Sequence, residues 1–214
     1  MGLDQILRGG ERDGVAILDQ NSRSIYTSRV PLSLAISLNK LPSVRAEALV
    51  LSICHVQGSS LVVRGVQSTA SYLPYLLSGS MPESEGPWIV LGRRTAERIR
   101  ATIGRAIPLA SSMGRTVLLL TVEAVCDFGD MKDDEALVHE TIARVLSDIP
   151  SGMVSAVIVH GLSRENVEEL ITRSYKVNIK CVSDLPGNLV VLEANGVSLR
   201  TFRVTGKFEE SFEL

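Results

Sequence analysis

The chain has 214 residues, 45% of them hydrophobic and 21% charged, with a formal net charge of −2. That is globular composition, long enough for one large domain or two small lobes with cores of their own. A near-neutral balance with 4% aromatic residues supplies neither the basic face nor the stacking side chains that nucleic acid requires, and no run of about 20 predominantly apolar residues is present to form a spanning helix.

The opening MGLDQILRGGERDG lacks the apolar core of a signal peptide. The first predicted strand is 14–18 (GVAIL), and a second is expected at 24–30 after a polar turn. Pro31 suits the first turn of a helix, where its missing N–H costs nothing. That helix carries Leu32, Leu34, Ala35, Ile36, Leu38 and Leu41, and Pro42 is expected to end it. Residues 44–56 are β-rich, 57–60 (QGSS) turn, and 61–66 return as the second strand of a hairpin. A short helix over 70–77 precedes a loop of turn formers, GSMPESEGP.

Residues 88–91 are a short buried strand, and 93–103 predict a helix with Ala96, Ile99 and Ile103 on one face. A second hairpin, 107–113 with 115–125, turns at Gly114. The acidic loop 127–135 leads into 136–138 and a helix with Ile142, Val145, Leu146 and Ile149 at i, i+3, i+4, i+7. Residues 154–159 form a strand, and Ser163 caps a helix presenting Val167, Leu170 and Ile171. From Val177 onward the pattern is β. Phe202, Val204, Phe208 and Phe212 fall on one side at period two, which predicts a half-buried strand bent at Gly206. Several hairpins within a mixed order point to an α+β fold in two lobes rather than a doubly wound parallel sheet.

Candidate chemistry is sparse. Asp127, Asp130, Asp133, Asp134 and Glu135 place five carboxylates within nine residues, a set that could hold Ca²⁺ or Mg²⁺. Their spacing is not that of an EF-hand, so a solvated loop with no metal is the preferred reading. His55, His139 and His160 lack a local second ligand, and no G-x-S-x-G elbow points to a nucleophile. Gly9-Gly10 has no GK[ST] after it, so nucleotide binding is not expected. Cys54, Cys126 and Cys181 sit in apolar runs (SICHV, AVCDF, IKCVS) and read as small buried hydrophobes, without excluding one bridge among them. Tyr72, Tyr75, Leu76 and Trp88 are the candidate exposed apolar contacts for a partner, with capping of a lobe as the preferred reading.

Three stretches carry a resemblance. SRVPLSLAISLNKLPSVRAEALVLS with LVVRGVQ is the first; IVLGRRTAERIRATIGRAIPLAS with VLLLTVEAVCDFG is the second; DDEALVHETIARVL with VSAVIVHGLSRENVEEL is the third. In order and spacing they resemble the extracytoplasmic core domain of MacB/FtsX-type ABC-transporter permeases over roughly residues 14–170. Two positions depart from that pattern: Arg105 follows Gly104 where an acidic residue is common, and Ala124 stands in place of the usual Gly of V-x-G-V. Residues 183–214 have no counterpart.

The resemblance implies a domain hung between two transmembrane helices on the extracytoplasmic face of the cell membrane. The permease would be dimeric, would pair with a cytoplasmic ATPase subunit that binds the ATP, and would act on an extracytoplasmic substrate or partner protein. A membrane-near α/β lobe is expected at 14–83 and 137–182, with a β-rich lobe inserted at 84–136 and a β tail at 183–214. No enzyme activity and no cofactor in this chain are expected. The alternatives are a small metal-dependent hydrolase using the loop Asp127–Glu135 and a stand-alone extracellular binding module. A hung domain also requires the Leu3 region and the Phe208–Leu214 region to leave the molecule at one pole.

Overall fold

The run GVAIL forms β1 (Gly14–Asp19), and its lack of alternation has a structural reason. β1 lies between β11 (Ala156–His160) and β14 (Val197–Val204), antiparallel to both, and Val15, Ala16, Ile17 and Leu18 are all buried. Ala156–Val159 are buried too, so this sheet is covered on both faces, as unbroken apolar runs require. The computed structural model describes residues 14–19, 21–112, 114–160, 162–175, 178–180, 191–194 and 197–204. They form an α+β protein of two units, residues 1–48 with 152–214, and residues 49–151.

In the first unit, β12 (Asn178–Lys180) and β13 (Val191–Ala194) extend the antiparallel sheet to the order β12-β13-β14-β1-β11. α1 (Leu32–Leu38) buries Leu34, Ala35 and Leu38. α4 (Arg164–Tyr175) starts where Ser163 was expected to cap it: the Asn166 N–H donates to Ser163 Oγ at 3.2 Å, and Val167 and Ile171 are buried.

Two expectations fail here. Residues 24–30 are turns rather than a strand, because the Thr27 and Ser28 N–H groups and the Thr27 hydroxyl all donate to the Ser24 carbonyl. Hydroxyl side chains offer the backbone this local alternative to a ladder. Only β2 (Val30–Pro31) is extended, paired with β10 (Met153–Val154). α1 also ends before Pro42. Asn39 leaves the helix and bonds the strand beyond it, donating from Nδ2 to the Ala46 carbonyl and accepting from the Ala46 N–H, each at 2.7 Å.

The second unit begins within β3 (Arg45–Val56), which pairs with β4 (Ser59–Val66) across a two-residue turn. Gln57 and Gly58 both have positive φ, 49° and 80°, the backbone that a tight hairpin matching strand twist demands. β4 pairs in parallel with β9 (Glu135–His139), and β9 pairs with β6 (Trp88–Gly92). β6 pairs with β8 (Val117–Cys126), β8 with β7 (Ala106–Ser111), and β7 returns to β3 at Cys54–Ser111 and His55–Ala110. The pairings therefore close a ring of six strands, β3-β4-β9-β6-β8-β7.

Register sets Val63, Ala136 and Leu91 side by side and Ile89 beside Val122, all fully buried. α3 (Glu140–Ser147) packs against β4 at Gly65, where a Cβ would stand 2.7 Å from that of Ala143. β5 (Leu76–Gly79) adds to β8 beyond the end of β7.

The ring explains why the division differs from the expected lobes. The sequence placed boundaries at 83/84 and 136/137; they fall at 48/49 and 151/152. Strands β3 and β4 hydrogen-bond into the same closed sheet as β6 to β9, so residues 49–83 and 137–151 go with the segment between them. The helix expected over 93–103 is α2, only Arg93–Arg98, followed by Arg100 and Gly104 at positive φ. The helix expected over 70–77 is a single 3₁₀ segment, Ala70–Tyr75, that opens into β5. The expected tail strand is present up to Val204, while Phe208 and Phe212 lie outside the described residues.

Candidate functional site

β6 delivers the chain into α2, and β8 delivers it into the acidic loop 127–134, whose last four residues form a 3₁₀ turn before β9. Because β6 lies between β8 and β9 in the sheet, loop and helix emerge side by side. Gly92 makes the approach possible, since a Cβ there would fall 2.6 Å from Asp133 Cα. α2 then presents Arg93, Arg94 and Arg98 to the acids.

Each of the five acids has its own partner. Asp127 meets Arg93 at 2.7 Å, and Asp134 takes Arg94 at 2.9 Å and Arg98 at 3.3 Å. Asp130 accepts from the Lys132 N–H at 2.8 Å. Asp133 is buried, accepts from the Phe128 N–H at 2.8 Å, and lies 3.7 Å from Arg94. Glu135 is inside β9, not in the loop, and forms a buried two-pronged pair with Arg64 at 2.8 and 3.1 Å. The hydrogen bond to Asp134 pushes the Arg94 guanidinium further up from its ordinary value; burial opposes it, and the charges of Asp134, Asp133 and Asp130 each add a lesser upward push. Among the described residues, no group of three or more His, Cys, Asp or Glu is arranged to hold a metal ion. The arrangement fastens a loop to a helix.

Tyr72 and Tyr75 pack against Phe128 of the same loop. Phe128 meets Tyr72 edge-on at 6.1 Å and Tyr75 at 5.3 Å, and Lys132 Nζ lies 5.8 Å from the Phe128 ring centre and 6.0 Å from that of Tyr72. Tyr72, Leu76 and Phe128 pack on a buried cluster of Val66, Trp88, Val90, Ala124, Cys126 and Leu137. Tyr75 remains partly exposed, with Leu73 and Leu77 more so. The expectation for Trp88 is corrected: it is 6% exposed, and its indole N–H donates to the Ser84 carbonyl at 2.7 Å. β6 is buried along its whole length, so a large apolar residue there becomes core.

The histidines stay apart. His55 is exposed beside Ser60, and His160 lies 3.6 Å from Glu47. His139 caps α3, its Nδ1 accepting from the Thr141 N–H at 3.4 Å, and the same Nδ1 lies 2.9 Å from Thr141 Oγ1. The Thr141 hydroxyl donates to Glu85 at 2.8 Å, so its single hydrogen is not available to His139 as a base. Burial pushes both described thiols up to about 11, Cys54 against a hydrogen bond to Ser52 that lowers it and Cys126 with the charge of Asp133 adding to the rise. The sequence reading missed Arg93, Arg94 and Arg98 as partners of the acids. Three cations within six residues, facing a later acidic run of matching charge, were the available signal.

No family model matches the chain, and no curated protein matches it. The extracellular domain of the noncanonic ABC-type transporter YknZ from Gram-positive bacteria matches in structure with a TM-score of 0.49 at 11% identity, over 73% of this chain and 87% of that one. A domain of a protein designated a permease from Porphyromonas gingivalis matches with a TM-score of 0.45, also at 11% identity, over 92% of this chain and 90% of that one. No helix among the described residues is long and apolar enough to cross a membrane. In fold, this chain is similar to the extracellular domain of an ABC-type transporter and to a domain of a permease protein.

Proposed function

We propose that the chain is the extracytoplasmic domain of a MacB/FtsX-type ABC-transporter permease, and that it relays motion rather than performing chemistry. ATP is bound and hydrolysed by a separate cytoplasmic subunit. Movement of the membrane helices displaces this domain, which acts on a substrate or partner outside the membrane, and a second permease copy completes the transporter. The first unit, residues 1–48 with 152–214, is the membrane-near part.

One observation carries this reading beyond the sequence resemblance. β1 and β14, the first and last described strands, are antiparallel neighbours, with Gly14 opposite Val204. Neighbouring strands lie about 4.8 Å apart. The chain therefore enters and leaves the described structure at one place, as a domain hung between two membrane helices must. The engagement of the five acids with arginines or backbone N–H groups supports this reading over the hydrolase alternative.

The test uses the parent protein in its membrane. An apolar run of about 20 residues should flank this segment on each side. In a Cys181→Ser background, a cysteine placed at exposed Ser68 should react with a membrane-impermeant thiol reagent added from outside, against a low background from the buried Cys54 and Cys126. Missing flanking runs, or a Ser68→Cys site labelled only after the membrane is opened, overturns the proposal.

A further inference from the structure

From Glu97 to Glu123 the chain carries no acidic residue between those two, yet it carries Arg98, Arg100, Arg105 and Arg115. In a protein of net charge −2 this is a local excess of four positive charges. Arg98 is taken up by Asp134. Arg100, Arg105 and Arg115 are exposed, and none of them makes an ion pair or side-chain hydrogen bond among the described residues.

The segment folds into the β7–β8 hairpin and its approach. The registers Ala106–Thr121, Pro108–Leu119 and Ala110–Val117 put these six residues on one face. The alternate residues Ile107, Leu109 and Leu120 are buried, so this face is the outward one. Val117 is 63% exposed and Leu119 64% exposed, the two most exposed large apolar side chains among the described residues. Ile103, 40% exposed, stands beside the same hairpin, because the Gly104 N–H donates to the Val122 carbonyl and the Val122 N–H to that of Arg105. Arg100 and Arg105 lie toward one end of the apolar strip and Arg115, in the turn, toward the other. Six extended residues set the ends roughly 20 Å apart.

We infer that this hairpin face docks on the surface of a lipid bilayer containing anionic headgroups. Charge complementarity decides the sign: uncompensated cations around exposed aliphatics attract an anionic, apolar-accepting surface. The chemistry of the strip decides between lipid and protein. Only Thr121 among its six residues has a hydrogen-bonding side chain, and none is aromatic. Protein hot spots are rich in aromatic residues and poor in Leu and Val, whereas the large side chains of this strip are Val117 and Leu119, and a bilayer asks only for apolar area and opposite charge. Pro108 lacks the N–H that would let the edge of β7 opposite β8 take up a further strand evenly. The inference does not depend on the permease reading, since it concerns residues 100–121 of the isolated chain.

The experiment is vesicle flotation of the full 214-residue chain at low salt. Vesicles of mixed phosphatidylglycerol and phosphatidylcholine should carry the protein up the gradient, and vesicles of phosphatidylcholine alone should not. Raising the salt should release it. The double variant Arg105→Gln/Arg115→Gln should weaken partitioning roughly tenfold or more, from the worth of each cation near an anionic surface. Val117→Ser/Leu119→Ser should reduce it as well while leaving the melting temperature in place, because both side chains are exposed. Equal binding to both kinds of vesicle, no binding to the anionic ones, or variants that partition like the parent chain would each overturn the inference. Salt and lipid dependence of the unmodified chain decide the matter even if a variant misfolds.

Discussion

Arg64 and Glu135 form a two-pronged pair with side chains only about a twentieth exposed. Removing one partner of such a pair leaves a buried charge uncompensated, at about 3–5 kcal/mol, whereas replacing both with apolar groups of similar volume restores much of the loss. Arg64→Ala should therefore lower the urea midpoint strongly, and Arg64→Met/Glu135→Leu should unfold later than the single variant; the reverse order would mean the pair is not buried. The thiols make a prediction about pH. Burial raises Cys54 and Cys126 from 9.0 to about 11, so both are protonated in the folded state where the unfolded chain has already lost those protons. Stability from this source is whole below pH 9.0 and declines as pH rises toward 11. A Cys54→Ala variant should show a shallower alkaline decline in chemical-denaturation experiments, and Cys54 and Cys126 should resist thiol reagents in the native chain at neutral pH.

At the scale of elements, the acidic loop is held by α2 and by its own backbone. Its ion pairs with Arg93, Arg94 and Arg98 are partly exposed and individually weak, but the Asp133 carboxylate is buried and satisfies the Phe128 N–H. Asp133→Ala should cost about 1–3 kcal/mol, seen as a melting temperature lowered by several degrees. EDTA should leave the melting temperature of both the parent chain and an Asp133→Asn/Asp134→Asn variant unmoved; a drop in the parent chain would reveal an ion bound by these acids. The loop was legible in the sequence as an acidic run between two strands. Its partners were not, because α2 precedes it by some 35 residues and only the order β8-β6-β9 brings the two together.

For the whole molecule, the adjacency of β1 and β14 is the observation on which the proposed function rests. Antiparallel partners have Cα atoms about 4.5–5.5 Å apart, within reach of a disulfide. Gly14→Cys/Val204→Cys should cross-link under mild oxidation, visible as faster migration on a non-reducing gel. A chain that stays uncross-linked while folded would show that β14 is not beside β1 and would remove the main structural support for the hung domain.

The sequence by itself determined the α+β class, both hairpins, the strands at 14–18 and 88–91, and the Ser163 cap. Each rests on short-range chemistry: alternation or its absence, a Gly at a turn, a hydroxyl one residue before a helix. Only the folded structure decided the rest. Residues 24–30 have a strand-like composition, but three donors on the Ser24 carbonyl fold them into turns. Trp88 looked like a surface contact and became core because both neighbours of β6 in the sheet come from later in the chain. The unit boundaries moved to 48/49 and 151/152 because β7 returns to β3 and closes the ring. The first outcome is a local competition of hydrogen bonds around Ser24; the other two depend on pairings such as Trp88–Thr121, Val90–Leu137 and Cys54–Ser111, and local pattern carries no record of which distant strand will supply the partner.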